Sequence, residues 1–284
     1  MPDSAPAASR VQDAPRRARP LLTLEVLRRE QLTPHMVRII AGGPNFERFA
    51  DNGCADAYCK VWFGTDGRPL DGTRDLESLR ASLPQDQWPV SRTYTVRRVD
   101  AAAREIAIDF VVHGADGIAG PWAAQASPGE ALTFAGPGGA FNPDPDAGWY
   151  LLAADESALP AVAAVLEALP AHAVGQVFLE VGGPEDQQAL SVPAGVSVTW
   201  LHRGGLPAGN TGLLAAAVAA ADWPGNDVQV FAHGEREAMK ALREVFFQDH
   251  GLERRQVSLS GYWAAGRTED TFQAEKKTPA GKIL

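Results

Sequence analysis

Five consecutive residues, Ser91-Arg92-Thr93-Tyr94-Thr95, bring three kinds of chemistry together. Arg92 offers a two-pronged, charge-assisted grip on a phosphate. Tyr94 offers a π-face for a flat ring. Thr93 and Thr95 carry hydroxyls, which both donate and accept. An anionic cofactor with a flat ring system needs all three. The same five residues also suit a plain alternating strand with Arg92 in solvent, and alone they do not decide between the two uses.

The other residues with chemistry fall at the ends of apolar runs. His113 follows the strand-like Asp109 to Val112. The stretch from Gly117 through Ala119, Gly120 and Trp122 reads as a glycine-rich turn running into a short helix, Trp122 to Ala126. Its backbone N–H groups suit a pyrophosphate or serve only to turn the chain. Asp155-Glu156-Ser157 lies between an apolar run and an Ala/Leu helix, where Asp155 or Ser157 makes a good cap. Arg203 ends another run and either meets a 2′-phosphate or is solvated. His233-Gly234-Glu235 ends the next, with Glu235 placed to favour a helix dipole. Tyr262 and Trp263 close the last strand, as core aromatics or as a shield over a ring.

Two different rhythms must position these residues. In the first half, Leu22 to Arg28, Met36 to Ala41, Ala57 to Phe63, Arg92 to Val99, Glu105 to Val112 and Ala131 to Ala135 are short β-prone segments parted by Gly, Pro, Asn and Asp. Six such strands predict a small antiparallel barrel. Past Pro143 to Gly148 the strands Trp149–Ala153, Gly175–Val181, Val196–Leu201, Val228–Ala232 and Gln256–Trp263 alternate with helical spacing over Ala158–Leu169, Thr211–Ala221 and Arg236–Asp249. That alternation predicts an open, mostly parallel α/β sheet with ligands beyond its carboxyl edge. No G-x-G-x-x-G follows the first of these strands, which argues against the usual dinucleotide fingerprint. The expected organisation is a disordered tail over 1–19, a barrel domain over 20–145, an α/β domain over 146–270 and a C-terminal tail over 271–284.

Composition narrows the field. A net charge of −9 argues against nucleic-acid binding, and no apolar run approaches the roughly 20 residues of a membrane helix. The first 19 residues lack an apolar signal core, so secretion is not indicated. Two cysteines, Cys54 and Cys59, cannot build a four-ligand metal site alone. Free thiols in a reducing cytoplasm are the expectation.

Taken in order, the motifs resemble those of the siderophore-interacting protein family, FAD-dependent ferric-siderophore reductases of the ferredoxin-reductase-like superfamily. Leu32 to Arg38 resembles the family's opening strand, and Ser91 to Arg97 its Arg-x-Tyr-Thr-Val-Arg signature. Asp109 to Gly114, Asp155 to Ala161, Gly234-Glu235 and Gly261-Tyr262-Trp263 match later blocks. The resemblance implies a six-stranded FAD-binding barrel followed by an NAD(P)H-binding α/β domain, in a cytoplasmic monomer. It implies that Arg92, Thr93, Tyr94 and Thr95 hold the flavin, with Thr95 the nearest thing to a catalytic side chain. His113, Gly117, Ala119, Gly120 and Trp122 would complete the FAD site. Asp155, Ser157, Arg203, Gly234, Glu235 and Trp263 would face NADPH or NADH. No metal ligands are expected.

The chain departs from the pattern at several points. Ile118 and Gly120 stand where the family usually has Pro and Ser, so a hydroxyl contact to the cofactor is lost. His233 stands where Ala is typical, and Tyr58 where many relatives carry His. Ala264 replaces a basic residue thought to greet the anionic siderophore. The expected function is ferric-siderophore reduction. One alternative is a flavin reductase with a quinone, free flavin or protein as acceptor; another is a siderophore- or nucleotide-binding protein without redox turnover. Residues beyond Arg267 read either as disordered or as a helix folding over the site.

Overall fold

A computed structural model describes residues 20–114, 117–209, 212–225, 227–276 and 278–284. The expected tail over 1–19, together with Thr211 and Lys277, lies outside them. Apolar residues at every second position roll the first half into a closed barrel. Its strands are β1 (Leu21–Thr33), β2 (Met36–Gly42), β3 (Tyr58–Phe63), β4 (Val90–Asp100), β5 (Glu105–Val111) and β6 (Ala131–Gly138), in the order β1-β2-β5-β4-β3-β6. Every paired neighbour is antiparallel. The inward set (Ile39, Val61, Phe63, Ile108, Phe110 and Phe134) is at most 1% exposed, each side chain contributing about 1.5–3 kcal/mol of burial. Cys59 lies in this core as a free thiol, and burial pushes its pKa up to about 12. Two short helices interrupt the barrel: α1 (Leu76–Ser82), capped by Asp75, and α2 (Ala119–Gln125), just before β6.

The second half forms a five-stranded sheet of β7 (Trp149–Asp155), β8 (Val174–Val181), β9 (Gly195–His202), β10 (Val228–Glu235) and β11 (Val257–Trp263). All its pairs are parallel, in the order β11-β10-β7-β8-β9. Alternation along the strands splits the core in two. Leu151, Ala153 and Val230 face one layer with Met239, Leu242 and Phe246 of α5 (Arg236–Glu244) and its one-turn extension. Leu152, Ala154 and Phe231 face the other, with Leu159 and Val162 of α3 (Leu159–Ala168). The helix after β9 is shorter than its spacing predicts, running only over α4 (Leu213–Ala219). None of the described helices is long and apolar enough to cross a membrane.

An ion pair, a histidine–carboxylate contact and an aromatic contact tie barrel to sheet. Arg97 on β4 grips Glu167 of α3 at 2.9 and 2.5 Å. His35, in the β1–β2 turn, lies 2.9 and 3.0 Å from the two carboxylate oxygens of buried Asp186. Phe141, just past the barrel, packs on Phe231 at 4.9 Å. Beyond Arg267 the chain forms α6 (Glu269–Glu275), whose Thr268 cap accepts from the Thr271 N–H. Phe272 on α6 is 1% exposed. Lys240 donates to the Ala280 carbonyl at 2.7 Å and Arg243 to that of Ile283 at 3.1 Å, so these last residues lie against α5.

Candidate functional site

The five residues that open the sequence reading lie on β4, where pairing with β3 sets Arg92 opposite Val61 and Thr95 opposite Tyr58. Arg92 is a half-buried guanidinium, 19% exposed at its side chain, with little to hold it. It donates to the Ser91 carbonyl at 2.9 Å, and its nearest carboxylate among the described residues is Asp270 of α6, at 3.9 Å. Tyr94 keeps one side of its ring on Phe110, centroids 4.2 Å apart. Burial drives its phenol pKa well above the usual value, so the ring is neutral. Thr95 is buried, whereas Thr93, two residues back on the same face of β4, is exposed.

His113 is exposed in the loop after β5. Gly117 has a left-handed φ of 83°, with open space where a Cβ would sit. Gly120 packs so closely on β5 that a Cβ would stand 3.0 Å from the Val111 carbonyl. The residue before α2, Ile118, provides no side-chain cap, and Pro121 has no N–H to contribute. Donors at this turn are the backbone N–H groups of Ala119 and Gly120. Trp122 itself turns into the barrel core. Its Nε1 donates to Glu130 at 3.0 Å, and its ring meets Phe63 and Phe110 edge-on.

At the sheet's carboxyl edge Asp155 is a hub. One oxygen accepts from the Ser157 N–H at 2.9 Å; the other accepts from the Glu235 N–H and from Trp263 Nε1, both at 2.8 Å. Burial nevertheless pushes its pKa up to about 6. One carboxylate therefore ties the ends of β7, β10 and β11 together. Gly234 is required beside it, since a Cβ there would fall 2.9 Å from the Asp155 carboxylate. Glu235 caps α5 by accepting from the N–H groups of Glu237 and Ala238 at 2.6 and 3.0 Å, and also accepts from Ala265 at 3.1 Å. A cavity of about 250 Å³ opens here, lined by Asp155, Glu180, Gly209, Glu235 and Ala238 among others.

Arg203 borders this edge but is not free. Both its terminal nitrogens bond to Glu156, and Glu180 lies 3.7 Å away. The structure brings Asp155, Ser157, Gly234, Glu235 and Trp263 together, and Arg92, Tyr94 and Thr95 together. Thr95 on β4 and Tyr262 on β11 lie close enough for the hydroxyl to act on the phenol, and this proximity joins the two groups. The sequence reading offered Tyr262 only as a core aromatic or a shield over a ring, and did not single out Glu180. The Tyr262 link joins residues 167 positions apart, beyond the reach of local pattern.

These residues fit FAD by their donor chemistry. A half-buried guanidinium with few partners suits the phosphate, backbone N–H groups at an uncapped turn suit the pyrophosphate, and a neutral aromatic beside a buried hydroxyl suits the ring. Among the described residues no cluster of His, Cys, Asp and Glu has the makings of a metal site.

Two family profiles match the chain. One, described as the siderophore-interacting FAD-binding domain, matches residues 25–141; the other, described as siderophore-interacting protein, matches residues 147–266. Ferric vibriobactin reductase of Vibrio cholerae is 32% identical over 260 residues, covering 89% of this chain and 93% of its own length. The NADPH-dependent ferric-chelate reductase of Escherichia coli is 31% identical over 246 residues, covering 85% and 92%. The crystal structure of a siderophore utilization protein from T. fusca superposes with a TM-score of 0.76 at 38% identity, covering 88% of this chain and 96% of that one.

Proposed function

This chain belongs to the siderophore-interacting protein family, and from that premise we propose that it is an FAD-dependent NAD(P)H oxidoreductase reducing ferric siderophores. The observation that carries the proposal is Arg92, half-buried beside Tyr94 and Thr95 with no carboxylate closer than 3.9 Å among the described residues. A guanidinium in that state is a built anion site. FAD, when bound, supplies the conversion of a two-electron hydride donor into single-electron transfers.

The chain's own residues supply position and electrostatics. Arg92 holds a cofactor phosphate, and the N–H groups of Ala119 and Gly120 meet the pyrophosphate. Tyr94 lends its free ring face, and Thr95 its hydroxyl. Across the cleft, Asp155 fixes Trp263 and the Gly234-Glu235 turn, where the nicotinamide donor approaches. Ferric ion is the substrate. Hard oxygen donors hold Fe(III) better than the softer Fe(II), so an electron delivered to the complex loosens the metal. We read the enzyme as a cytoplasmic monomer, its two cysteines being free thiols suited to a reducing compartment.

One feature favours a different acceptor within the same chemistry. Ala264, at the position where a basic residue would meet an anionic siderophore, is only 3% exposed. A quinone, free flavin or protein acceptor follows from that reading.

The test is the visible spectrum of the purified protein with FAD, before and after NADPH or NADH under argon, followed by titration with ferric siderophore. Bleaching, and reoxidation faster by siderophore than by air, is the expected result. Reoxidation faster by a quinone would favour the second acceptor. Arg92→Ala is expected to weaken FAD binding roughly 10- to 100-fold, the loss of a charge-assisted contact worth about 1.5–3 kcal/mol. Full flavin retention in that variant would refute the assignment of Arg92.

A further inference from the structure

His233 stands where the family resemblance expects Ala, and the cofactor sites leave it unused. Its ring is 4% exposed and lies against Phe231, centroids 3.9 Å apart. Both ring nitrogens are nevertheless engaged. Nδ1 lies 3.1 Å from the Tyr262 hydroxyl, and Nε2 lies 3.0 Å from the Ser258 hydroxyl. The Tyr262 phenol lies beside Thr95 of β4. One hydrogen-bonded chain therefore runs from Tyr262 through His233 to Ser258, with its inner end beside Thr95. Thr95 is 5% exposed, whereas Ser258 is only half-buried, on the edge strand β11.

The links can all point one way. Tyr262 donates to Nδ1, and Nε2–H donates to Ser258. Such an array moves a proton outward without forming a charge on any member.

We propose that this chain is a proton exit from the flavin face, with His233 as its relay residue. The proposal rests on the reductase reading, which sets the balance. One NAD(P)H and two ferric complexes yield one NAD(P)⁺, two ferrous complexes and one proton. That proton passes to the Tyr262 oxygen. The Tyr262 proton moves to Nδ1, the Nε2 proton to Ser258, and the Ser258 proton to water. Every group ends neutral, and the imidazole has exchanged tautomers. Burial supports a concerted shift, because it drives the ring's pKa down from 6.5 to about 3 and so disfavours an imidazolium.

Two measurements decide it. The first is ¹⁵N NMR of histidine-labelled protein as purified, which reads the ring directly. A neutral ring protonated at Nε2 near neutral pH is expected; a charged ring, or one protonated at Nδ1, would overturn the chain's direction. The second follows the photoreduced, FAD-loaded protein as it is reoxidised by the iron(III) complex of 2,3-dihydroxybenzoate, in H₂O and D₂O. His233→Gln and Tyr262→Phe are expected to slow reoxidation roughly 100-fold, the low end of what positioned proton transfer contributes. Their solvent isotope effect should rise while their affinity for FAD stays at the wild-type value. Variants that match the wild type in rate and isotope effect would sink the relay alone. A wild-type protein that binds no FAD, or whose flavin NAD(P)H does not bleach, would sink the reductase reading and the relay with it.

Discussion

At the scale of single residues, His233 also governs how the fold answers acid. In the unfolded chain its imidazole takes a proton below its ordinary pKa of 6.5; in the fold, burial delays this to about 3. Because the native state binds the proton less readily, this residue's contribution is fully present above pH 6.5 and is lost as the pH falls toward 3. Between about pH 7 and pH 4 the wild type is expected to lose up to roughly 3 kcal/mol more stability than His233→Gln. Urea unfolding at a series of pH values measures the gap. Parallel pH profiles for the two proteins would mean that the ring is not held neutral. Arg203 shows the opposite case. An arginine at a strand end was legible as a phosphate contact, but not its capture by Glu156 and Glu180, which come from two other strand ends.

At the scale of elements, α5 shows what a single buried carboxylate contributes to a helix. Glu235 accepts from two N–H groups of the first turn and from Ala265 beyond β11. Glu235→Ala is expected to lower stability by about 1–2 kcal/mol, as loss of a helix cap does. Faster amide exchange at Glu237 and Ala238 would report it; unchanged protection there would show that the cap contributes little. Most elements were visible in the sequence for the same local reason. Alternation marks the barrel strands, and the 3.6-residue spacing of Met239, Leu242 and Phe246 marks α5. The helix α6 was left open between disorder and a folded cover. Among Glu269–Glu275 only Phe272 is both large and apolar, and its burial is a tertiary event that periodicity does not record. The start of α2 shows the same limit: Trp122 reads as part of a cofactor turn, but the barrel core claims its ring.

At the scale of the whole molecule, the candidate site draws residues from both the barrel and the sheet, so the bonds between them bear on it. Arg97–Glu167 and His35–Asp186 span that boundary. Burial leaves the Arg97 side chain only 11% exposed, and its hydrogen bond holds the Glu167 carboxyl below the ordinary value. Replacing both Arg97 and His35 by Ala is expected to divide one thermal transition into two, the barrel and the sheet melting separately. Scanning calorimetry distinguishes the outcomes, and a single transition at lower temperature would show that the packing of Phe141 on Phe231 couples the domains unaided.

The central strand β7 carries a consequence for how this chain can change in length. All seven of its residues are buried, and the first six side chains alternate between two cores on opposite faces. Inserting or deleting one residue would exchange the faces and swing Asp155 away from Trp263 and the β10 turn. The strand acts as a ruler, and this chain is expected to tolerate no added residue within β7.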